Sequence, residues 1–439
     1  MTADPESVLH LYQEIVTVGL LQYLQKLDGV KFRRGIYCPR VVLWLMILQR
    51  LHAGATLATT VQLLLHGAAA GLLQKCHRLQ RGTLSARTGG YCQARRKLPT
   101  VLCRQVTEEI IERLRQVLGA GQDNVFLLDG SSVELEHCRE LVTCYPPAQN
   151  QHGRSHWPVL RILVAHDANT GMASCPYWGP MYGANAVSEQ ELAEKAMAHL
   201  PEGATVLGDR NFGVFWMAYA AQQRKLGVVL RLTEGRARKL VGVISRPGEP
   251  AVTWNASGLD GGKKRRCPAG SKVEGRLIAV RIGRGKSQEW LYLFTTLDLP
   301  AKQIVELYSR RWNIETDLRS LKRTVRLHHI SVKSQDMMEK ELLMAIAAYN
   351  FVRAVMCMAA RRSGIDPRQL SFSGVLNVVN CGWHKLIEAS SKQAHDKEFF
   401  WMLDLAAQCT LPRRRKRRSY PRATWRRRPA FGFRKTEEN

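Results

Sequence analysis

Across the first 121 residues, apolar positions return every three or four residues, as in VVLWLMILQRL, TLATTVQLLLHG and VTEEIIERLRQVLG. That spacing predicts a block of short, packed helices. At Asp123 the texture changes to short apolar runs bounded by Gly, Pro and Asn, namely NVFLLDGSSVELE, WPVLRILVAHDANTG and GMASCPYWGP, which read as strands. Two helical stretches follow, VSEQELAEKAMAHL and GVFWMAYAAQQRKLG. Between them ATVLGDRNFG reads as a buried strand ending in Asp209. From Val228 to Leu297 strands recur (VVLRLTE, RKLVGVIS, AVTWNA, RLIAVRIG, EWLYLFTTL) around the loop SGLDGGKKRRCPAGSK, and no helix is evident. After Pro300 two long helical patterns run through AKQIVELYSRRWNIETDLRSLKRTV and MMEKELLMAIAAYNFVRAVMCMAARR. The pattern therefore predicts an α/β protein in six parts. These are a helical block (1–121), a first α/β part (122–227), an all-β insertion (228–298), a second α/β part (299–362), a C-terminal region (363–411) and a tail (412–439).

Charge adds a partner to this picture. The 439 residues carry 65 Lys+Arg against 37 Asp+Glu, a formal +28, while a 45% hydrophobic share excludes wholesale disorder. The tail from Pro412 holds 12 Lys/Arg up to Lys435. Such a run is ordinarily a disordered, solvated arm that holds a polyanion loosely. Residues 1–411 stay strongly basic without it, with Arg95, Arg96 and Lys97 clustered late in the helical block. Gly54 to Leu65 is compatible with a helix-turn-helix, although a plain helical domain with a few solvated arginines accounts for the same pattern. The longest continuous apolar run, VVLWLMIL, is too short for a membrane span, and the polar start MTADPES is unlike a signal peptide. Eleven cysteines without a C-x-x-C pair suit reduced thiols. The expectation is a cytoplasmic, nucleoid-associated protein that uses no membrane and binds nucleic acid.

Candidate chemistry concentrates in the helix after Pro300. On an ideal helical wheel with Tyr308 at 0°, Arg311 falls at about 300°, Glu315 at about 340° and Lys322 at about 320°. The apolar set Leu307, Ile314, Leu318, Leu321 and Val325 lies beside that arc, so Glu315 sits at the margin of the packed face. Asp317 projects to the opposite side. An exposed helix stabilised by Arg311 and Glu315 at i, i+4 explains one pair but leaves Tyr308 and Lys322 unexplained.

Tyr308-x2-Arg311-x3-Glu315-x6-Lys322, within YSRRWNIETDLRSLK, resembles the Y-R-E-K signature of bacterial insertion-sequence DDE transposases, enzymes with an RNase H-like catalytic core. The resemblance implies an RNase H-like mixed sheet interrupted by an all-β insertion, a helical N-terminal DNA-binding domain and a basic C-terminal tail. It also implies two further acids on a first central strand and on a later strand ahead of the insertion. FLLDGSSVEL and VLGDRNFG supply Asp129 and Asp209 in those places. The implied triad Asp129, Asp209 and Glu315 would be both catalytic and metal-binding, holding Mg²⁺, with Mn²⁺ as a substitute. Taken alone, either Asp would more commonly cap a helix or end a strand. Three carboxylates suit two hard cations, and phosphodiester cleavage needs no covalent protein group. The activity so implied is binding of terminal inverted repeats, metal-dependent cleavage at the element ends and transfer of the 3′-OH to target DNA. The partners implied are double-stranded DNA and a second copy in a DNA-bound homodimer, with no small-molecule cofactor.

The basic neighbours extend the same reading. Arg210, Arg311 and Lys322 would grip phosphates beside the scissile bond, Tyr308 would add a hydroxyl contact, and Arg319 is a further candidate. Lys263, Lys264, Arg265 and Arg266 would contact the DNA backbone from the insertion. Trp290, in WLYLFT, reads as an ordinary strand residue; by resemblance it would instead stack on a base flipped out near the transposon end, with Trp254 as competitor. The spacing of Cys138, Cys144, His152 and His156 is too wide for an ordinary zinc site. His328-His329 suits a helix end or a phosphate contact. Two rival functions are a metal-dependent nuclease on the same core without strand transfer, and a non-enzymatic DNA-binding regulator or inhibitor derived from a transposase. The insertion and helical block argue against the first, and the intact acids against the second.

Overall fold

The computed structural model describes residues 8–28, 35–52, 54–73, 76–119, 124–150, 153–257, 267–268, 270–283, 288–328, 330–388 and 391–412. The basic run Arg413 to Lys435 and the loop residues Lys263, Lys264, Arg265 and Arg266 lie outside them.

Among the described residues seven α-helices precede the first strand: α1 (Val8–Ile15), α2 (Val18–Asp28), α3 (Pro39–Leu51), α4 (Leu57–Leu65), α5 (His77–Gln80), α6 (Gly89–Lys97) and α7 (Thr100–Val117). Pro39 at the first turn of α3 costs no helical hydrogen bond. Thr56 caps α4 by accepting from the Thr59 N–H. Strand β1 (Val125–Glu134) follows, then α8 (Arg139–Cys144), the short pair β2 (Gln149–Asn150) and β3 (Gly153–Arg154), then β4 (Val159–Asp167) and β5 (Tyr177–Pro180). The alternation continues through α9 (Glu189–Met197), β6 (Thr205–Gly208), α10 (Phe215–Gln222), β7 (Gly227–Leu232) and α11 (Glu234–Val241). Strands β8 (Ala251–Asn255), β9 (Lys272–Ile282) and β10 (Glu289–Thr295) precede α12 (Ala301–Ser309), α13 (Asn313–Arg319), α14 (Gln335–Ser363), α15 (Phe372–Glu388) and α16 (Lys392–Gln408).

Eight strands form one mixed sheet in the order β5-β4-β1-β6-β7-β10-β9-β8. β1 is parallel to β6 and antiparallel to β4, and β6 is parallel to β7. The segment 228–298 corrects two expectations. RKLVGVIS is not a strand, because Glu234–Val241 is the helix α11, capped by Thr233. The region is therefore not all-β, and β8, β9 and β10 extend the same sheet through β7. Four consecutive residues that favour helices over strands, Arg236 to Lys239, outweigh the alternating Val and Ile that follow.

Strand alternation sends neighbouring residues to opposite faces. Val125 and Leu127 pack with Ile304, Tyr308, Ile314 and Leu318, so α12 and α13 cover one face. Phe126 and Leu128 pack with Leu192, Met197, Phe215 and Trp216, so α9 and α10 cover the other. A third core gathers α3, α7, α15 and α16 around α14. By length and composition α14 could cross a membrane, but its most apolar stretch is wholly buried inside the protein. Its polar side chains are tied down: Glu341 takes ion pairs from Arg50 and Arg95 of the N-terminal helices.

Candidate active site

Asp129 lies on the face of β1 that carries Val125 and Leu127, and therefore points toward α12 and α13. Asp209 follows β6 directly. Ladder pairing between these parallel strands ends at Leu127↔Leu207, so both aspartates stand just past the point where the strands part. Crevices beyond the carboxyl ends of parallel strands are the usual ligand positions of α/β sheets. Each carboxylate is fixed locally: Asp129 Oδ1 accepts from the Gly130 N–H at 2.8 Å, and Asp209 Oδ1 accepts from the Asn211 N–H at 2.8 Å.

The two acids feel one another. The half-buried Asp129 carboxyl is pushed up to about 6, chiefly by burial and next by the Asp209 charge. The Arg311 guanidinium and the Gly130 N–H pull it down, and Glu189 adds to the rise. Arg311 is buried and stands over the ring of Trp312 at 5.2 Å. Tyr308 is buried as well. Its hydroxyl is raised by burial, with Arg311 and Arg231 opposing and Asp209 adding. Lys322 Nζ donates to Ser131 Oγ at 3.0 Å, two residues beyond Asp129 on the same strand face. Burial lowers the Lys322 ammonium from its ordinary value, against the pull of Glu134.

The expected single helix is four pieces, of which α12, carrying Tyr308, is the first. Arg310–Trp312 is a tight 3-10 turn, Asn313–Arg319 is α-helical, and Ser320–Thr324 is a wide π turn. Each departure changes the angle per residue, so the ideal wheel misplaces groups on either side. Glu315 is exposed, and among the described residues it makes no hydrogen bond or ion pair. Asp317, itself fully buried, points away from the aspartates. It pairs with Arg353 and, through both oxygens at 2.7 Å, with Arg368. Arg368 also donates to the carbonyls of Asp167 and Ala168 at the end of β4, which welds the signature segment to the sheet.

The remaining expected residues are more scattered. Arg210 and Arg319 are exposed, and the Arg210 carbonyl accepts from Arg236 at 2.8 Å. Trp290 is half-buried on β10, with the Arg281 guanidinium 5.0 Å from its ring. Trp254 is a core residue, edge-on to Phe215 and Phe294. Cys138 donates to the Lys333 carbonyl, and His156 stacks on His137 at 4.1 Å. Beyond the Glu134 end of β1 opens a cleft of about 1070 Å³, lined among others by Arg96, Trp157, Arg326, His328 and Lys333.

Sequence reading missed three participants. Ser131 receives Lys322, while Glu189 and Asn211 join α9 to the turn after Asp209 through a 2.6 Å hydrogen bond. Glu189 stands at the first turn of α9 beside its Ser188 cap, and the helical period puts it on the face that Leu192, Ala193, Ala196 and Met197 bury. Among the described residues no group of three His, Cys, Asp or Glu side chains is assembled as a metal cage. The Asp129–Asp209 pair nevertheless fits a hard cation. It offers oxygen donors only, its two charges repel, and a Mg²⁺-like ion takes one or two protein carboxylates and leaves its other positions to water and substrate phosphate.

Comparison with known proteins bears on what this pair serves. A family model described as a transposase DDE domain matches residues 120–351. Over 242 residues the chain is 28% identical to the transposase InsG of insertion sequence element IS4 from Escherichia coli strain K12, covering 53% of this chain and 52% of that one. The chain thus spans about half the length of this curated relative. A solved structure of piggyBac transposase in a synaptic complex with hairpin DNA aligns with 91% of this chain and 85% of its own, at 11% identity and a TM-score of 0.45. With more than half of its length matched by the family model, including β1, β6 and the segment that carries Tyr308, Arg311, Glu315 and Lys322, the chain belongs to the transposase DDE domain family.

Proposed function

We propose that this protein is a DNA transposase that binds the terminal inverted repeats of its mobile element, cleaves DNA at the element ends and transfers the 3′-OH to target DNA. The observation that carries the reading is the placement of Asp129 and Asp209 at the parted ends of β1 and β6, with the Arg311 charge acting on Asp129 and Lys322 anchored to Ser131. The core would be RNase H-like, spanning 122–227 and 299–362, with 228–298 inserted between its parts, 1–121 binding DNA, 363–411 as a C-terminal region and 412–439 as a basic tail.

Asp129 and Asp209 would hold a divalent cation, Mg²⁺ or Mn²⁺, and Glu315 would join them by a shift of its exposed side chain once DNA is engaged. When bound, the cation would supply Lewis acidity for activating water or a 3′-OH and for stabilising the leaving oxygen. Arg311 would balance the carboxylate charge and orient the scissile phosphate, while Lys322 would contact a flanking phosphate from its seat on Ser131. Tyr308 would line the phosphate site from beside Arg311. Arg210, Arg319 and the insertion residues Lys263, Lys264, Arg265 and Arg266 would hold the DNA backbone, and Trp290 would stack on an extruded base. The protein would act as a homodimer on DNA in the cytoplasm.

The test is cleavage of linear DNA carrying the element ends by the purified protein with Mg²⁺, beside Asp129→Ala and Glu315→Ala. End cleavage that both substitutions abolish is expected. Binding without cleavage by the unsubstituted protein would refute the enzymatic reading in favour of a regulator, and cleavage indifferent to both substitutions would refute the site.

A further inference from the structure

Beyond Leu127↔Leu207 no ladder hydrogen bond sets the distance between the ends of β1 and β6, yet the two aspartates must keep a fixed separation to share a cation. The gap is bridged from the back of the sheet. Gly130 faces α9, and a Cβ there would come within 2.5 Å of Glu189 Cδ and 2.7 Å of its Oε1. The Glu189 carboxylate therefore occupies the space of the side chain that Gly130 lacks. Its other oxygen accepts from Asn211 Nδ2 at 2.6 Å, and Gln190 Nε2 donates to the Asn211 carbonyl at 2.6 Å. Asn211 in turn donates its N–H to Asp209 Oδ1. A continuous path thus runs from Gly130, beside Asp129, through Glu189 and Asn211 to Asp209.

Glu189 is itself held firmly. Ser188 and Glu191 form a reciprocal capping box, and Leu192, Ala193, Ala196 and Met197 bury the face of α9 that also carries Glu189. An acid at a helix N-terminus is often there for the helix dipole alone. That role needs neither a glycine opposite nor an amide partner on another loop, and Glu191 already fills it.

We propose that Glu189 is a positioning residue of this site: wedged between Gly130 and Asn211, it sets the spacing of Asp129 and Asp209, and its charge raises their affinity for a divalent cation. The inference rests on the reading of the aspartate pair as metal-binding. Two variants separate its parts. Glu189→Gln keeps an oxygen acceptor for Asn211 and removes the charge, whereas Glu189→Ala removes the wedge as well.

The experiment is a titration of the full-length, DNA-free protein with Mn²⁺, reading free Mn²⁺ by electron paramagnetic resonance, with Asp129→Asn as control and thermal melting beside each titration. E189Q is expected to bind Mn²⁺ about three- to tenfold more weakly with an unshifted melting temperature. It should also raise the Mn²⁺ concentration for half-maximal end cleavage by the same factor. E189A should bind at least as weakly and cleave more slowly even at saturating Mn²⁺. E189Q and E189A that both bind and cleave like the unsubstituted chain would overturn the inference alone. So would weakened binding that merely tracks a fall in melting temperature. An unsubstituted chain that binds no Mn²⁺ would overturn the metal site, and this inference with it.

Discussion

Replacing Asp317 with Asn tests how the signature segment is held. Asp317 is fully buried, and it answers two guanidinium groups whose side chains are 3% and 10% exposed, Arg353 and Arg368. Burial pushes its carboxyl up, but Arg368 and Arg353 outweigh that and hold it below the usual carboxylate range. Asn keeps the shape and one acceptor, but it turns an NH₂ group toward arginine donors and leaves two buried cations without an anion. Arg353 retains the Tyr349 hydroxyl at 2.8 Å, and Arg368 retains two backbone carbonyls, so the cations stay partly solvated by the protein. Removing one partner of a buried ion pair costs about 3–5 kcal/mol. We expect about 4 kcal/mol for D317N, measured from urea midpoints at constant slope. A depressed carboxyl stabilises the fold above its unfolded value near 3.8, and that stability is lost as pH falls through the lower folded value. The penalty should therefore be constant from pH 5 to 8. Pairing D317N with Arg368→Met should recover part of the loss, because one orphaned cation disappears. A D317N penalty under about 1 kcal/mol, or one that Arg368→Met deepens, would refute this account of the cluster.

Two further predictions concern acid sensitivity and backbone crowding. His166 is fully buried with Nδ1 against the Gly171 carbonyl at 3.3 Å, and burial pushes its pKa down to about 4. The unfolded chain protonates it near 6.5 while the folded chain does not, so stability present above 6.5 is lost as pH falls toward 4. Urea midpoints at pH 7 and 4.5 should assign about 2–3 kcal/mol of the acid loss to His166, and an equal acid loss in His166→Asn would sink the assignment. At Gly213 a Cβ would meet the Arg231 carbonyl oxygen at 2.1 Å, while at Gly235 it would meet nothing within 4 Å. Gly213→Ala should cost more than about 2 kcal/mol and slow cleavage, since the Gly213 N–H donates to the Asp209 carbonyl at 3.0 Å. Gly235→Ala, within α11, should be neutral or stabilising by up to about 1 kcal/mol; a reversed order in calorimetry would contradict the packing described.

The strand-end placement of Asp129 and Asp209 was legible in the chain because its signals are local. Asp129 and Asp209 each end an apolar run, and runs of that kind end where a strand leaves the core. Tyr308, Ile314 and Leu318 keep the helical period that buries them against one sheet face, and the wheel turned Asp317 away from the acids, as the structure does. The same period misplaced detail where the backbone left the α-helix, in the 3-10 turn at Arg310 and the π turn at Ser320, since residue identity does not report angle per residue there. RKLVGVIS failed for a related reason: four helix-favouring residues and a Thr cap decided a segment whose apolar alternation resembled a strand.

By itself the sequence determined which residue types the candidate site offers, and which faces of its local elements carry them, because periodicity is a property of consecutive residues. Only the tertiary structure decided which distant residues meet. Lys322 reaches Ser131 across 191 positions, and Arg368 reaches the end of β4 across about 200. Glu189 enters from behind the sheet through the opening left by a glycine. Those meetings follow from strand order and from which helix covers which face, and nothing in local spacing encodes either.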